Sequence, residues 1–160
     1  MEIKVKETEE KQVAYIFYTG PVEDMGDLIG EIVDWMMEQK VEMTGPPYSA
    51  YYTSPAEVAP EDMQYELGVP FTGEASESGK VKIKNIPAQQ VLSAIHKGSY
   101  NEVGLVYEVM MNKVIEDGYQ MTGAPIEIYF NSPLEVSESE LLTEIQFPVV
   151  QMWLFYQTSI

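Results

Sequence analysis

The sequence has no cysteine and a single histidine among its 160 residues. Without cysteine the chain can form no disulfide and no thiolate metal site, which fits a cytoplasmic protein. The lone histidine, His96, cannot supply the several ligands at fixed spacing that a metal site needs. We therefore expect a cytoplasmic protein that holds neither a metal nor a cofactor.

Long apolar runs and basic residues are scarce as well. No apolar run reaches the roughly 20 residues of a membrane-spanning helix, and the N-terminus lacks the apolar core of a secretory signal. Nine Lys and Arg residues stand against 26 acidic ones, giving a formal net charge of −17. Because a nucleic-acid-binding protein needs a basic face to displace counterions from phosphates, we expect no direct nucleic-acid binding. Because a long apolar run is lacking, we expect no membrane partner.

Apolar residues make up 45% of the sequence, which is enough for a core. One segment of the sequence occurs twice. Positions 43–55 and 121–133 both begin Met-Thr-Gly, share a proline and a tyrosine, and close on Ser-Pro. The same offset of 78 residues aligns 2–71 with 80–149 without a gap. Since the agreement includes glycines and prolines at turns, we predict two copies of one supersecondary unit.

Each repeat opens with alternating and β-rich runs, continues with apolar residues spaced by three and four, and ends with two short β-rich runs. This order reads β-β-α-β-β, or β-α-β-β if the opening pair is one kinked strand. The predicted fold is α+β, with tandem β-α-β-β units that each pair an antiparallel sheet with one long helix. Pseudo-two-fold symmetry would relate the units around a central groove.

The domain prediction follows from these boundaries. One domain covers 1–150, with repeat 1 at about 2–71, a small and polar linker at 72–79, and repeat 2 at about 80–149. The tail 151–160 lies outside the repeat. Its Trp, Leu, Phe and Tyr residues are too apolar to be left in water, so it either packs on its own domain or forms part of a dimer contact.

The repeats differ most usefully where Ser49 of the first copy becomes Glu127 in the second. Alternate side chains of a strand share a face, so Glu127 and Tyr129 lie on one face and their apolar neighbours on the other. We assign the apolar set to the helix side, and the same parity leaves Ser49 and Tyr51 on the face opposite the helix. Two such faces would line the central groove.

Aromatic rings around one carboxylate suit flat or greasy molecules that carry positive charge, because rings offer cation–π contacts of about 0.5–2 kcal/mol. An unpaired carboxylate in such surroundings has a raised pKa. In the alternative interpretation, Glu127 lies on a solvated sheet face and pairs with Lys82, Lys84 or Lys113. The residue pattern alone leaves both interpretations open.

The segment Gly123-Ala124-Pro125-Ile126-Glu127-Ile128-Tyr129-Phe130-Asn131-Ser132-Pro133, supported by Glu144 to Val149, resembles the GyrI-like effector-binding domain family. These domains are also the ligand-binding halves of AraC-type and MerR-type multidrug-sensing regulators. The resemblance implies a central groove for hydrophobic, often cationic compounds, into which the glutamate at position 127 reaches. By the same resemblance, we expect Tyr51, Tyr129 and Trp35 to line the groove. No helix-turn-helix precedes Glu2, so we expect a stand-alone domain.

The resemblance implies three functions. The first is a small-molecule binding protein that senses or sequesters its ligand and signals to a separate protein partner, or acts as a homodimer. The second is a hydrolase of reactive cyclopropane-type electrophiles that uses Glu127 as acid or base. The third is an interaction module that modulates DNA gyrase. We expect binding rather than catalysis.

Overall fold

Two α-helices and ten β-strands form within residues 1–152, the part of the chain that the computed structural model describes. In chain order these elements are β1 (Lys4–Glu7), β2 (Lys11–Thr19), α1 (Met25–Gln39), β3 (Glu42–Met43), β4 (Tyr48–Tyr51), β5 (Gln64–Thr72), β6 (Lys82–Ile86), β7 (Gln90–Lys97), α2 (Val103–Glu116), β8 (Tyr119–Met121), β9 (Ile126–Tyr129) and β10 (Leu142–Gln151). The predicted mixture of antiparallel strands and two long helices is confirmed.

One compact unit comprises Glu9–Ala88. Its antiparallel strands follow the order β6-β2-β5-β4, and β3 pairs with the far end of β5. Helix α1 packs on one face of this sheet because its apolar residues recur every three or four positions and share one side of the helix. The buried members of this stripe are Leu28, Ile32, Trp35 and Met36.

The other compact unit combines Met1–Thr8 with the chain from Gln89 onward. Its antiparallel strands follow the order β1-β7-β10-β9, and β8 pairs with the end of β10. Helix α2 packs on one face of this sheet through the same apolar spacing. Its buried residues are Val103, Val106, Met110 and Val114.

The opening strand of each sequence repeat joins the unit formed by the other repeat. Strand β1 pairs with β7, although β2 follows it in the chain, and β6 pairs with β2, although β7 follows it. The compact units therefore divide the chain after Thr8 and after Ala88. The repeat boundaries at 2–71 and 80–149 describe the sequence pattern. This pattern locates each strand but does not indicate which strand it pairs with.

The predicted linker 72–79 is hydrogen-bonded within the Glu9–Ala88 unit. The Trp35 indole N–H donates to the Ser76 carbonyl oxygen at 3.0 Å, and the Ser76 N–H donates to Oε1 of Gln39 at 3.0 Å. At the other chain end, the Met152 N–H donates to the Gly118 carbonyl oxygen at 2.9 Å. The aromatic part of the predicted tail, from Trp153 on, lies outside the described residues.

Neither a membrane-spanning helix nor a metal-binding cluster is present in residues 1–152. No helix in this range combines the length and apolar character needed to cross a bilayer. The same range contains no group of three or more His, Cys, Asp or Glu side chains placed to hold a metal ion.

The end of α1 offers a test of backbone strain. Lys40 adopts a left-handed conformation with φ 58° and ψ 42°, while 78 positions later Gly118 takes a similar φ of 72°. This conformation disfavours a side chain by roughly 1–2 kcal/mol. We expect Lys40→Gly to raise the free energy of unfolding by about 0.5–1 kcal/mol in urea denaturation, because glycine's freedom in the unfolded chain offsets part of the relief.

The matched control for this prediction is Gly118→Ala, which introduces a side chain where the first substitution removes one. It should lower the free energy of unfolding by about 1 kcal/mol. Equal stability of the Lys40→Gly protein and the wild type would show that the left-handed residue after α1 is not strained.

Candidate ligand-binding site at Glu127

Glu127 lies on the helix-covered face of its sheet. It stands opposite Ile145 in the pairing of β9 with β10, and directly opposed residues of an antiparallel pair project from the same face. Ile145 is fully buried in the core cluster beneath α2. The predicted alternation along β9 is therefore right, but its assignment to the two faces is wrong, since Ile128 lies opposite Glu144 on the other face.

Two tyrosine hydroxyls hold the Glu127 carboxylate. Tyr107, on α2, donates to Oε2 at 2.6 Å, and Tyr129, two residues along β9, donates to Oε1 at 3.1 Å. The Tyr107 ring packs edge-on against Phe147 with centroids 5.5 Å apart, and the Tyr129 ring packs edge-on against Tyr100 at 6.0 Å. The carboxylate thus has one phenol on each oxygen and aromatic rings around it.

Burial raises the pKa of Glu127 above the ordinary value of a glutamate. The hydrogen bonds from Tyr107 and Tyr129 act in the opposite direction, as does positive charge on His96, but burial dominates. The Nε2 atom of His96 lies 2.9 Å from the Ser99 carbonyl oxygen, which fixes the imidazole near the start of the short helical turn preceding α2. The carboxylate is therefore easier to protonate than a solvated one.

No lysine lies within ion-pair distance of Glu127 among residues 1–152. Of the three lysines in the alternative interpretation, Lys84 pairs with Glu66 at 2.5 Å and Lys113 with Asp117 at 2.8 Å. Lys82 makes no ion pair within that range. The structure therefore does not support a carboxylate held by a neighbouring lysine.

Within residues 1–152 the carboxylates of Glu66 and Glu144 are buried, and each pairs with a lysine. Glu144 accepts from Lys6 at 2.6 Å, and Glu66 accepts from Lys84 at 2.5 Å. Although burial alone would raise the pKa of Glu144, the Lys6 ammonium and further hydrogen bonds hold it below its usual range. Among the described residues 1–152, the hydrogen bonds that Glu127 accepts come from the neutral hydroxyls of Tyr107 and Tyr129, which distinguishes it from both.

The structure brings Glu127 and Tyr129 together, and it places the other three predicted site residues in the Glu9–Ala88 unit. Ser49 and Tyr51 stand opposite Leu67 and Tyr65 of β5, on the face that α1 covers. The prediction that they face away from the helix is therefore wrong, by the same inversion as in β9. Their contribution to a ligand site stays a prediction.

Trp35 belongs to the core of the same unit. Its side chain is 3% exposed and packs edge-on against Phe71 at 5.4 Å, while its N–H is bonded to the Ser76 carbonyl oxygen. These contacts account for a large aromatic residue at position 35 through its packing in the core. Its predicted role at the ligand remains a prediction.

Sequence reasoning missed Tyr107 and Tyr100, because both fit the three- and four-residue spacing of the apolar positions in the predicted helix. The repeat itself contained the signal. At the 78-residue offset, Tyr107 stands where the first copy has Ile29, and Tyr100 stands where it has Val22. The comparison that singled out Glu127 against Ser49 therefore also marks the two tyrosines near it.

Comparison with known protein families decides the identity of the domain. The model of the GyrI-like small molecule binding domain matches residues 1–150. The chain belongs to this GyrI-like family. The family resemblance read from Gly123 to Pro133 is thereby confirmed. A comparison with curated protein sequences gave no match.

Solved structures of similar fold include a transcription complex and a ligand complex. The EcmrR C-terminal domain is 26% identical, with a TM-score of 0.85 over 94% of this chain and 98% of that domain. The EcmrR–DNA complex matches at 25% identity and a TM-score of 0.84 over 94% of this chain, which spans 57% of that protein. SAV2435 bound to tetraphenylphosphonium shares the fold, with 13% identity, a TM-score of 0.59 and 94% of each chain covered.

Proposed function

We propose that this GyrI-like domain binds hydrophobic cations at the Glu127 carboxylate and acts as a sensor or sequestering protein. The observation that carries the proposal is a partly buried carboxylate that accepts two tyrosine hydroxyls and has no lysine within ion-pair distance in residues 1–152. Such a group gains most from a ligand that supplies the missing positive charge.

The tyrosine rings favour a greasy or aromatic cation over a small hydrated one. Tyr100, Tyr107 and Tyr129 surround the carboxylate, and each cation–π contact contributes about 0.5–2 kcal/mol. Their apolar surface adds about 25 cal/mol for each Å² that the ligand removes from water. A hydrated metal ion or a polyamine would use neither contribution fully.

The comparisons support this ligand class without deciding it. SAV2435, which shares the fold, was solved with tetraphenylphosphonium, a cation surrounded by phenyl rings. The EcmrR domain, at 26% identity, comes from a protein solved on DNA, so a regulatory output through a partner is part of the proposal. Hydrolysis of cyclopropane-type electrophiles and modulation of gyrase remain predictions from the resemblance alone.

Internal duplication is the second part of the proposal. The two sequence repeats contain their elements in the same order, and at the 78-residue offset the Lys6–Glu144 ion pair of one compact unit corresponds to the Lys84–Glu66 pair of the other. We propose that an ancestral unit was duplicated and that the second copy acquired the ligand carboxylate at Glu127. Ser49, Tyr51 and Trp35 are proposed as ligand-contacting residues of the first copy.

Calorimetric titration tests the ligand class directly. We expect tetraphenylphosphonium and a rhodamine dye to bind with Kd values in the micromolar range, and triphenylphosphine oxide, which is neutral but offers similar rings, to bind at least tenfold more weakly. Equal affinity for the cation and the neutral compound would show that the rings, and not the charge, are recognised.

Acidification should release the ligand. The cation favours the ionised carboxylate, and burial raises the pKa of Glu127, so affinity is complete above that raised pKa and falls as pH drops through it. The Kd for tetraphenylphosphonium measured across the acidic range should therefore rise as pH falls. An affinity that does not change across that pH range would contradict the participation of Glu127.

A further inference from the structure

A concavity lies beside the Glu127 site within the same compact unit. It is an open pocket of about 410 Å³ between the start of the turn before α2 and the loop that follows β9. This volume falls in the range of about 300–1,000 Å³ typical of small-molecule sites. Its apolar wall is formed by Tyr100, Pro133, Val136 and Leu141.

Tyr100 connects this pocket to the carboxylate. Its ring lines the pocket and also packs edge-on against Tyr129, whose hydroxyl donates to Glu127. The pKa of Tyr100 is raised, mainly by burial and additionally by the charge of Glu127. A ligand lying along Tyr100 therefore touches both regions.

We propose that this pocket is an apolar subsite of the Glu127 site, which takes the uncharged arm of an elongated amphipathic cation whose charged end lies at Glu127. The inference rests on the proposed function and specifies the shape of the ligand. Compact cations would use the carboxylate and its tyrosines alone. Elongated ones would gain in addition from the surface of Val136 and Leu141.

The charges at the pocket also exclude one class of arm. Its lining, which lies between residues 99 and 141, includes Glu138 and no lysine. An arm that ends in a carboxylate would meet this acid without a compensating cation, so it should bind more weakly than the plain alkyl arm. The subsite thus disfavours arms that end in an anionic group.

A homologous series of alkyltrimethylammonium ions tests the subsite. The butyl, hexyl, octyl and decyl compounds share one charged group and differ only in the length of the arm. Each methylene buried in the pocket should tighten binding about fourfold. Titration calorimetry below the micelle concentration of each compound gives the Kd of every member, and the slope against chain length is the measured quantity.

Two variants alter the pocket without touching Glu127. Ser137→Trp fills the pocket from its exposed rim, and Val136→Asn places a neutral polar group on its apolar wall. Leu134→Trp is the matched control, since Leu134 belongs to the same loop, is 98% exposed and does not line the pocket. We expect both pocket variants to abolish the dependence on chain length and to leave the butyl compound unaffected, whereas the control retains the wild-type slope.

The outcomes separate this inference from the proposed function. A slope that persists in both pocket variants, or a wild-type protein that binds butyl and decyl compounds equally, overturns the subsite while leaving cation binding at Glu127 intact. Failure of every member of the series and of tetraphenylphosphonium to bind overturns both.

Discussion

The Glu127→Gln protein should bind tetraphenylphosphonium about ten- to hundredfold more weakly than the wild type. The amide keeps the shape of the side chain and one acceptor for a tyrosine hydroxyl, but it removes the negative charge. An interaction with a charged, partly buried group typically contributes about 1.5–3 kcal/mol, which corresponds to this range of affinity. Titration calorimetry at neutral pH measures the change.

Glu135→Gln is the matched control for this experiment. Glu135 is exposed in the loop after β9, so its replacement removes the same formal charge from the surface without altering the site. Its effect on affinity should be small at physiological ionic strength, because the charge of a solvent-exposed side chain is screened by water and salt. If both variants lost affinity equally, the general acidity of the protein would explain cation binding and Glu127 would have no special part.

The Glu127→Gln substitution should also make the unliganded protein more stable at neutral pH. Because burial raises the pKa of Glu127, the folded state disfavours the ionised form that predominates at pH 7 in the unfolded chain. Glutamine removes that unfavourable ionisation, so the free energy of unfolding should rise while ligand affinity falls. A site maintained for function at the expense of stability gives this opposite pair of changes.

Lys84→Met should lower the free energy of unfolding by about 3 kcal/mol, the lower end of the range for a buried ion pair, because the Lys84 side chain is 35% exposed. The substitution leaves Glu66, which is 3% exposed, with the hydroxyls of Tyr48 and Tyr52 at 2.5 and 3.1 Å but without its ammonium partner. Removing one member of a buried ion pair is strongly destabilising, because the remaining charge is uncompensated in a medium of low dielectric constant. The ammonium also lies 4.3 Å from the centroid of the Tyr15 ring, a contact that is lost too.

Two further proteins show whether the charge is the cause. Adding Glu66→Gln to Lys84→Met should recover much of the lost stability in urea denaturation, because the buried charge is then gone. Lys113→Met breaks the exposed pair with Asp117 and should change stability very little. If the double variant were no more stable than Lys84→Met alone, the loss would come from packing.

The elements of this fold were predictable from sequence, and the partners of two strands were not. The 78-residue repeat, the turn residues and the spacing of the apolar residues located both helices and most strands. The pairing of β1 with β7 and of β6 with β2 depends instead on contacts distant in sequence, such as Lys6 with Glu144. The lysine and glutamate positions repeat in the sequence, but the repeat does not indicate which lysine meets which glutamate.

The candidate site shows the same limit in a single strand. Alternation in β9 predicted that Glu127 and Tyr129 share a face, and the structure agrees. The choice of face failed because Thr143 to Val149 of the neighbouring strand β10 are all buried, so both faces of the sheet are covered there and polarity no longer distinguishes them. The glutamate therefore lies under α2, where Tyr107 reaches it, and the isoleucines take the other face.

The central claim is that the Glu127 carboxylate binds the positively charged group of a hydrophobic ligand. The most direct measurement is a pH titration of its carboxyl carbon by NMR, without and with saturating tetraphenylphosphonium. We predict a pKa above the ordinary glutamate value in the free protein and a lower pKa in the complex, since the bound cation favours the ionised form. An ordinary pKa that the cation leaves unchanged would contradict the account.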